Sequence, residues 1–245
     1  MRRALGPLLT LAAITAPAVT LPGLVVLPSE VRAQSPVPIS VELPFRSKYY
    51  WAGVPFAAGE VQQVQLSAGL GSVTVYGFTT YDLDASRISE ADLYADWYGQ
   101  LTPLFGLFVG AALYNFDYGE AFGGWQGTQE LYAGVVLGTL LSPTLYVAHD
   151  FDLGDGTHVT LSVAHGVPLG ASGLSLDLGA EVDYNVEYYT DQTGVSYGAL
   201  SAALGIPAGP VTLSPIVIVQ RRLDDAFVGW VPDDEVFGVT ASFSF

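Results

Sequence analysis

A chain of 245 residues is long enough for one large all-β domain and short of two ordinary globular ones. Half of its residues are hydrophobic and only 13% are charged, about half the charged share of a soluble domain, so its surface faces something other than water. The formal net charge is −16 with eight Lys and Arg in all, too few to neutralise a phosphate backbone, which excludes a nucleic-acid partner.

The amino terminus reads as an export signal. Met1-Arg2-Arg3 is a basic start, Leu8 to Thr15 an apolar run, and Val31-Arg32-Ala33 a small-x-small site before Gln34. Ala16-Pro17-Ala18 is a rival cleavage site. A membrane anchor fits less well, because Pro7, Pro17 and Pro22 interrupt the apolar run. The expected division is a signal peptide over 1–33 and one domain over 34–245. Arg2, Arg3 and Arg32 leave with the signal, so the remaining chain is still more acidic. Cysteine is absent, so no disulfide framework or thiolate metal site is available. No cofactor and no metal are expected.

Beyond the signal no apolar run reaches the roughly 20 residues that a spanning helix needs. Alternation recurs instead. In Leu174 to Tyr184, Asp177, Glu181 and Asp183 share one face of a strand and the leucines the other. Glu90, Asp92, Tyr94, Asp96 and Tyr98 likewise oppose Ala91, Leu93, Ala95 and Trp97. Val159, Leu161 and Val163 alternate with Thr160, Ser162 and Ala164. Phe105 to Ala112 and Val211 to Val219 are apolar at both parities, so their facing stays open, with Gly106, Gly110 and Ala112 as candidates for the inner face.

Turn signals divide the domain into about twelve strands. Their expected spans are 40–50, 60–69, 72–82, 89–100, 103–117, 127–139, 143–152, 157–167, 173–185, 195–206, 210–221 and 235–245. The connections alternate between short turns and longer loops, the pattern of a transmembrane antiparallel β-barrel with periplasmic turns and extracellular loops. In lipid every backbone polar group needs a partner within the protein, which helices or a closed barrel provide. The last strand alternates Phe237, Val239, Ala241, Phe243 and Phe245 with small residues and stops on Phe245. This ending resembles the terminal strand of outer-membrane barrels, where the final aromatic residue is read by the barrel-assembly machinery. Tyr49, Tyr50, Trp51, Tyr81, Trp97, Tyr98, Tyr114, Trp125, Tyr188, Tyr189 and Trp230 lie near strand ends and are expected to form interfacial girdles.

The segments Arg46 to Phe56, Thr128 to Gly134 and Pro143 to Asp152 resemble a loosely defined porin-like family of bacterial outer-membrane barrels without settled function. The resemblance implies a barrel in the cell outer membrane, with membrane lipid and the assembly machinery as partners. It brings no catalytic residues.

Strand parity places Glu42, Glu90, Asp92, Asp96, Glu130, Asp150, Asp177, Glu181 and Asp183 inside, with Arg46 and Lys48 inside on the first strand. The pore-lining candidates are Arg46, Lys48, Glu90, Asp92, Asp96, Asp177, Glu181 and Asp183, since acidic rings favour cations. The expected function is a narrow channel preferring small cationic solutes. The alternative is a non-conducting structural or surface-binding barrel acting through its long loops, including the acidic Asp224, Asp225, Asp233, Asp234 and Glu235. An acyl-lipid hydrolase is not expected: His149 and His165 fall at outward parity, and Ser162 lies on the face opposite His165. Asp150 to Gly156 partly matches a calcium loop, but Gly154 and Leu161 stand where oxygen ligands belong. Asp155-Gly156 suits a tight hairpin turn instead.

Overall fold

A computed structural model describes residues 37–119 and 123–245. The proposed signal peptide lies outside the described residues. Strand β1 spans Ile39–Arg46, followed by a small hairpin of β2, Tyr49–Trp51, and β3, Val54–Ala57. Then come β4 (Val61–Leu70), β5 (Val73–Asp82), β6 (Arg87–Thr102), β7 (Phe105–Asp117) and β8 (Trp125–Leu137). The order continues with β9 (Thr144–Asp150), β10 (Gly156–Pro168) and β11 (Ser175–Val186). It ends with β12 (Thr193–Ala208), β13 (Val211–Arg222) and β14 (Asp234–Ser244).

All strands except β2 and β3 form one closed barrel of twelve, each antiparallel to its sequence neighbour. The seam joins β1 to β14, from Ser40 opposite Ser244 to Arg46 opposite Gly238. Beyond it, Ile39 and Phe245 exchange backbone bonds. No sheet edge is left, as hydrocarbon requires.

Alternation decides which side chains see lipid. Leu66, Leu93, Leu113, Leu131, Leu145, Leu161, Leu178, Leu200 and Leu213 are all exposed, one each on nine strands, and Phe237 continues them on β14. An apolar belt this continuous is foreign to a water-facing surface. It is the outer wall of a membrane barrel. The two segments of open facing also resolve: Gly106, Phe108, Ala112, Tyr114 and Phe116 turn inward on β7, while Val109 and Leu113 face out. On β13 the exposed Leu213 and Pro215 put Ser214, Ile216, Ile218 and Gln220 on the inner face.

Two expectations are corrected. The first strand does not run to residue 50; it stops at Arg46, and the chain turns back as a separate hairpin. Lys48 therefore sits past the strand, bonded to Asp234 at 2.6 Å. The girdle is the second. Tyr81, Trp97, Trp125 and Trp230 are exposed, as a girdle needs, but Tyr49, Trp51, Tyr114 and Tyr188 are buried inside the barrel. Tyr114 shares the parity of Phe108 and Phe116, while Tyr49, Trp51 and Tyr188 belong to long connections that fold inward.

Inner aromatic rings lie against the wall where the next strand has no side chain. A Cβ on Gly134 would collide with the Phe108 ring and stand 2.5 Å from the backbone oxygen of Leu145, which cannot yield. Gly134→Ala should therefore lower stability to urea unfolding by about 1–3 kcal/mol, the scale of core overpacking. A Cβ on Gly77 would meet one atom at 3.8 Å, so Gly77→Ala should stay within about 0.5 kcal/mol of the parent.

Candidate functional site

The inner faces gather the acidic residues. Glu90 accepts from the Thr80 hydroxyl at 2.8 Å and from the Tyr49 hydroxyl at 3.2 Å. Asp92 accepts from the Tyr94 hydroxyl and the Asn115 backbone N–H, both at 3.2 Å. The Tyr132 hydroxyl donates to Asp96. Glu130 takes three phenol donors: Tyr114 at 3.0 Å, Tyr146 at 3.2 Å and Tyr188 at 2.6 Å. Asp183 accepts from Ser196 at 2.7 Å and Thr160 at 2.9 Å, with His158 Nδ1 at 3.1 Å. Apart from His158, each of these donors is neutral.

Basic side chains do not balance this charge. Among the described residues, Lys48 pairs with Asp234, Arg87 with Asp117 and Arg221 with Glu235, each at a strand end or rim. Arg46 is buried on β1, but its guanidinium donates to Thr240 Oγ1 and the Phe45 carbonyl, each at 2.9 Å. It reaches no carboxylate by hydrogen bond in these contacts. A buried unpaired carboxylate is expensive, and neutral donors offset only part of that cost.

The long-loop half of the barrel is filled. Trp51 pairs with Val54 across a two-residue turn, in which Ala52 has φ +45° and Gly53 φ +80°. Two left-handed residues make the tight turn suited to a twisted hairpin. The hairpin lies across the lumen. Trp51 Nε1 donates to the Tyr188 hydroxyl at 2.7 Å, and Gln220 Nε2 to the Gly53 carbonyl at 3.2 Å. The Phe56 ring packs 4.9 Å from Phe116 and 5.8 Å from Tyr189. At its base, Lys48 and the Tyr50 hydroxyl both donate to Asp234. The last loop adds Phe227 and Val231, buried against Tyr197 and Ala199. Burial and the facing carboxylates push the Tyr188 and Tyr189 phenols upward, so both stay protonated as donors to Glu130 and Asp150.

The short-turn half differs. Tyr98, Phe108, Tyr132 and Tyr146 coat the inner face of β6 to β9, whereas β10 to β12 present Ala164, Gly166, Gly179, Ser201 and Ala203. Asp177 and Glu181 stand on this smooth wall, half-buried, as do those five small residues. Of the eight sequence-singled residues, Arg46, Glu90, Asp92, Asp96 and Asp183 are buried in the packed interior and Lys48 is at the rim. Asp177 and Glu181 are half-buried on the small-residue wall.

His158 was not assigned a face by sequence reasoning. Extending the Val159, Leu161, Val163 alternation by one residue puts it inside, where it contacts Tyr188 at 4.5 Å and Trp51 at 6.3 Å between ring centres. His149 and His165 face outward, bonded to Thr157 and to the Leu140 carbonyl. Asp150 Oδ1 accepts from the backbone N–H of Asp152 and Gly154, each at 2.9 Å, which closes the Asp150 to Gly156 turn with the protein's own donors. Among the described residues no three His, Asp or Glu are grouped to hold a metal.

No protein-family model and no curated protein matches the chain. The fold is that of known outer-membrane channels. The COG4313 outer membrane channel from Pseudomonas putida F1 aligns over 90% of this chain and 100% of its own, with 13% identity and a TM-score of 0.56. KdgM porin aligns over 84% of this chain and 99% of its own, with 12% identity and a TM-score of 0.55. A second KdgM structure, in complex with disordered oligogalacturonate, aligns over 85% and 99%, with 12% identity and a TM-score of 0.53. The chain is thus similar in architecture to porin-like outer-membrane barrels.

Proposed function

We propose that this barrel sits in the outer membrane as a narrow, cation-preferring channel whose long-loop end is narrowed by the Tyr49–Ala57 hairpin. The observation that carries the reading is the imbalance of the interior, where the carboxylates on β1, β6, β8, β9 and β11 outnumber the inward basic groups among the described residues, Arg46, the rim residue Arg222 and His158. Water and mobile cations in a lumen offset such charge, while a dry filled core does not. The same balance disfavours a polyanion such as the oligogalacturonate held by KdgM porin, because a stretch of acidic wall repels it. Asp177 and Glu181, half-buried among small residues on the β10 to β12 wall, are the residues assigned to cation preference.

A second reading draws support from the seal at the long-loop end. Trp51 and Tyr188 are nearly or wholly buried there, and Phe227 is too. If the hairpin never leaves, the barrel is a non-conducting scaffold that presents its loops to a partner.

Planar-bilayer recording separates the two. Refolded protein should give single-channel steps with cations passing more readily than anions; their absence, or anion preference, removes the channel reading. Glu181→Gln should lower the cation-to-anion permeability ratio roughly twofold, the scale of one partly screened charge. Trp51→Ala deletes the ring that docks the hairpin on Tyr188. It should raise unit conductance several-fold while the barrel keeps its different gel migration before and after boiling. Unchanged conductance in Trp51→Ala would mean that the hairpin does not limit the pathway.

A further inference from the structure

The two ends of the barrel differ in what their connections expose. Asp84, Asp152, Asp155, Asp191 and Asp224 stand in the long loops, whereas 61–81, 97–116, 131–148, 156–176 and 192–220, each holding one short turn, contain no Asp, Glu, Lys or Arg. Gly, Pro and Ser shape these short turns in the usual way, yet leucine occupies their exposed positions. Leu70, Leu101, Leu104, Leu140, Leu141 and Leu169 stand out on or beside four of the turns. Leu140 is 74% exposed and Leu104 62%, against 57% for Leu131 in the lipid-facing belt. So much contiguous apolar surface marks a contact.

The belt runs without a break onto these tips. Leu70 keeps the outward parity of Leu66, and Leu169 that of Leu161. On β6 Gln100 turns inward to the Tyr98 hydroxyl, so Leu101 faces out in line with Leu93 and Trp97. Between β8 and β10 the strands alone are too short for the belt. The outer face of β8 is polar at Gln129 and apolar from Leu131 to Leu137, about 20 Å of strand and about 15 Å along the membrane normal once tilted. On β9 only Leu145 and Val147 lie below His149. The apolar band of an outer-membrane barrel is about 25 Å tall, and the turn with Leu140 and Leu141 extends the belt below these strands.

These turns also satisfy their backbone within the protein. Gly138 N–H donates to the Leu104 carbonyl at 3.1 Å, tying the β8–β9 turn to the β6–β7 turn. Leu169 N–H donates to the Leu174 carbonyl at 2.7 Å, and Ala164 N–H to the Leu141 carbonyl at 2.8 Å. His165, which faces out at this end, places Nδ1 2.8 Å from the Leu140 carbonyl. Backbone served in this way can leave water.

We propose that the short-turn rim is a lipid-binding collar, seated among the glycerol and upper acyl groups of a phospholipid leaflet instead of standing in water. The proposal rests on the barrel's place in a membrane and adds that one end of it is immersed. Continuity with the belt and the absence of charge on these turns select lipid as the occupant.

The chain has no cysteine, so Leu104→Cys or Leu140→Cys can carry a single nitrobenzoxadiazole label. Val228→Cys in the last long loop is the aqueous reference, and Leu131→Cys in the belt the lipid reference. Each protein is folded into phosphatidylcholine vesicles with iodide on both faces, or with a nitroxide-bearing phosphatidylcholine. Iodide should quench the tip labels roughly threefold less than the Val228 label, as for a group about 5–10 Å into the headgroup and acyl boundary. The nitroxide lipid should quench them nearly as well as the Leu131 label. Iodide quenching at the tips equal to that at Val228 overturns the collar and leaves the membrane barrel standing. Tip labels that neither quencher reaches are covered by protein, a second copy end to end, and overturn it too. A Leu131 label beyond reach of the nitroxide lipid removes the membrane reading itself. Variants are compared only where boiling still changes their gel migration, and Leu169→Cys replaces a tip variant that fails this check.

Discussion

Backbone hydrogen bonding in hydrocarbon is the constraint on which the structure depends. A strand facing lipid cannot leave its N–H and C=O groups to water, so the sheet must meet itself. Here the meeting is β1 with β14, over the pairs from Ser40 and Ser244 to Arg46 and Gly238. The seam also explains Arg46: its side chain lies over Gly238, where a Cβ would stand 2.7 Å from Arg46 Cδ. Closure thus seats the Arg46 guanidinium flat against the wall, donating to Thr240 rather than reaching the acids across the lumen.

Closure creates an inside, and the inside is divided. Bulky rings on β5 to β9 and the hairpin fill the long-loop half, and phenol hydroxyls serve the carboxylates there. Glu130 alone collects three of them. On β10 to β12 the short-turn half keeps small residues and two acids with unserved oxygens. A barrel of about eight strands is filled by its own side chains and one of sixteen or more leaves a channel. Twelve strands lie between, and here side-chain volume is distributed unevenly, with rings on β6 to β9 and small residues on β10 to β12.

The hairpin is the element that couples the two halves. It is attached to the wall at β1 and reaches β7, β10, β12 and β13 through Phe56, Trp51 and Gly53. Gly53 lies so near the Tyr197 ring that a Cβ would come within 2.5 Å of it. The Tyr197 ring is thus held against the hairpin turn, on the strand that also carries Ala199 and Ser201 of the small-residue wall.

Period-two alternation is local, and for that reason the sequence alone determined the twelve strands, their turns, the lipid-facing leucines and the inward parity of Glu90, Asp96, Glu130 and Asp183. It also holds the inward parity of His158, one residue before Val159 in the same alternation. Residues 47–57 are aromatic and β-branched enough to pass for strand, and periodicity says nothing about whether such a segment prolongs the wall or folds inside it. That was decided by contacts distant in the chain: Trp51 with Tyr188, Gly53 with Gln220, Lys48 with Asp234. Which acids are fully buried and which only half-buried was likewise a tertiary outcome, because it depends on what lies opposite each one across the barrel, and parity names a face without naming its neighbour.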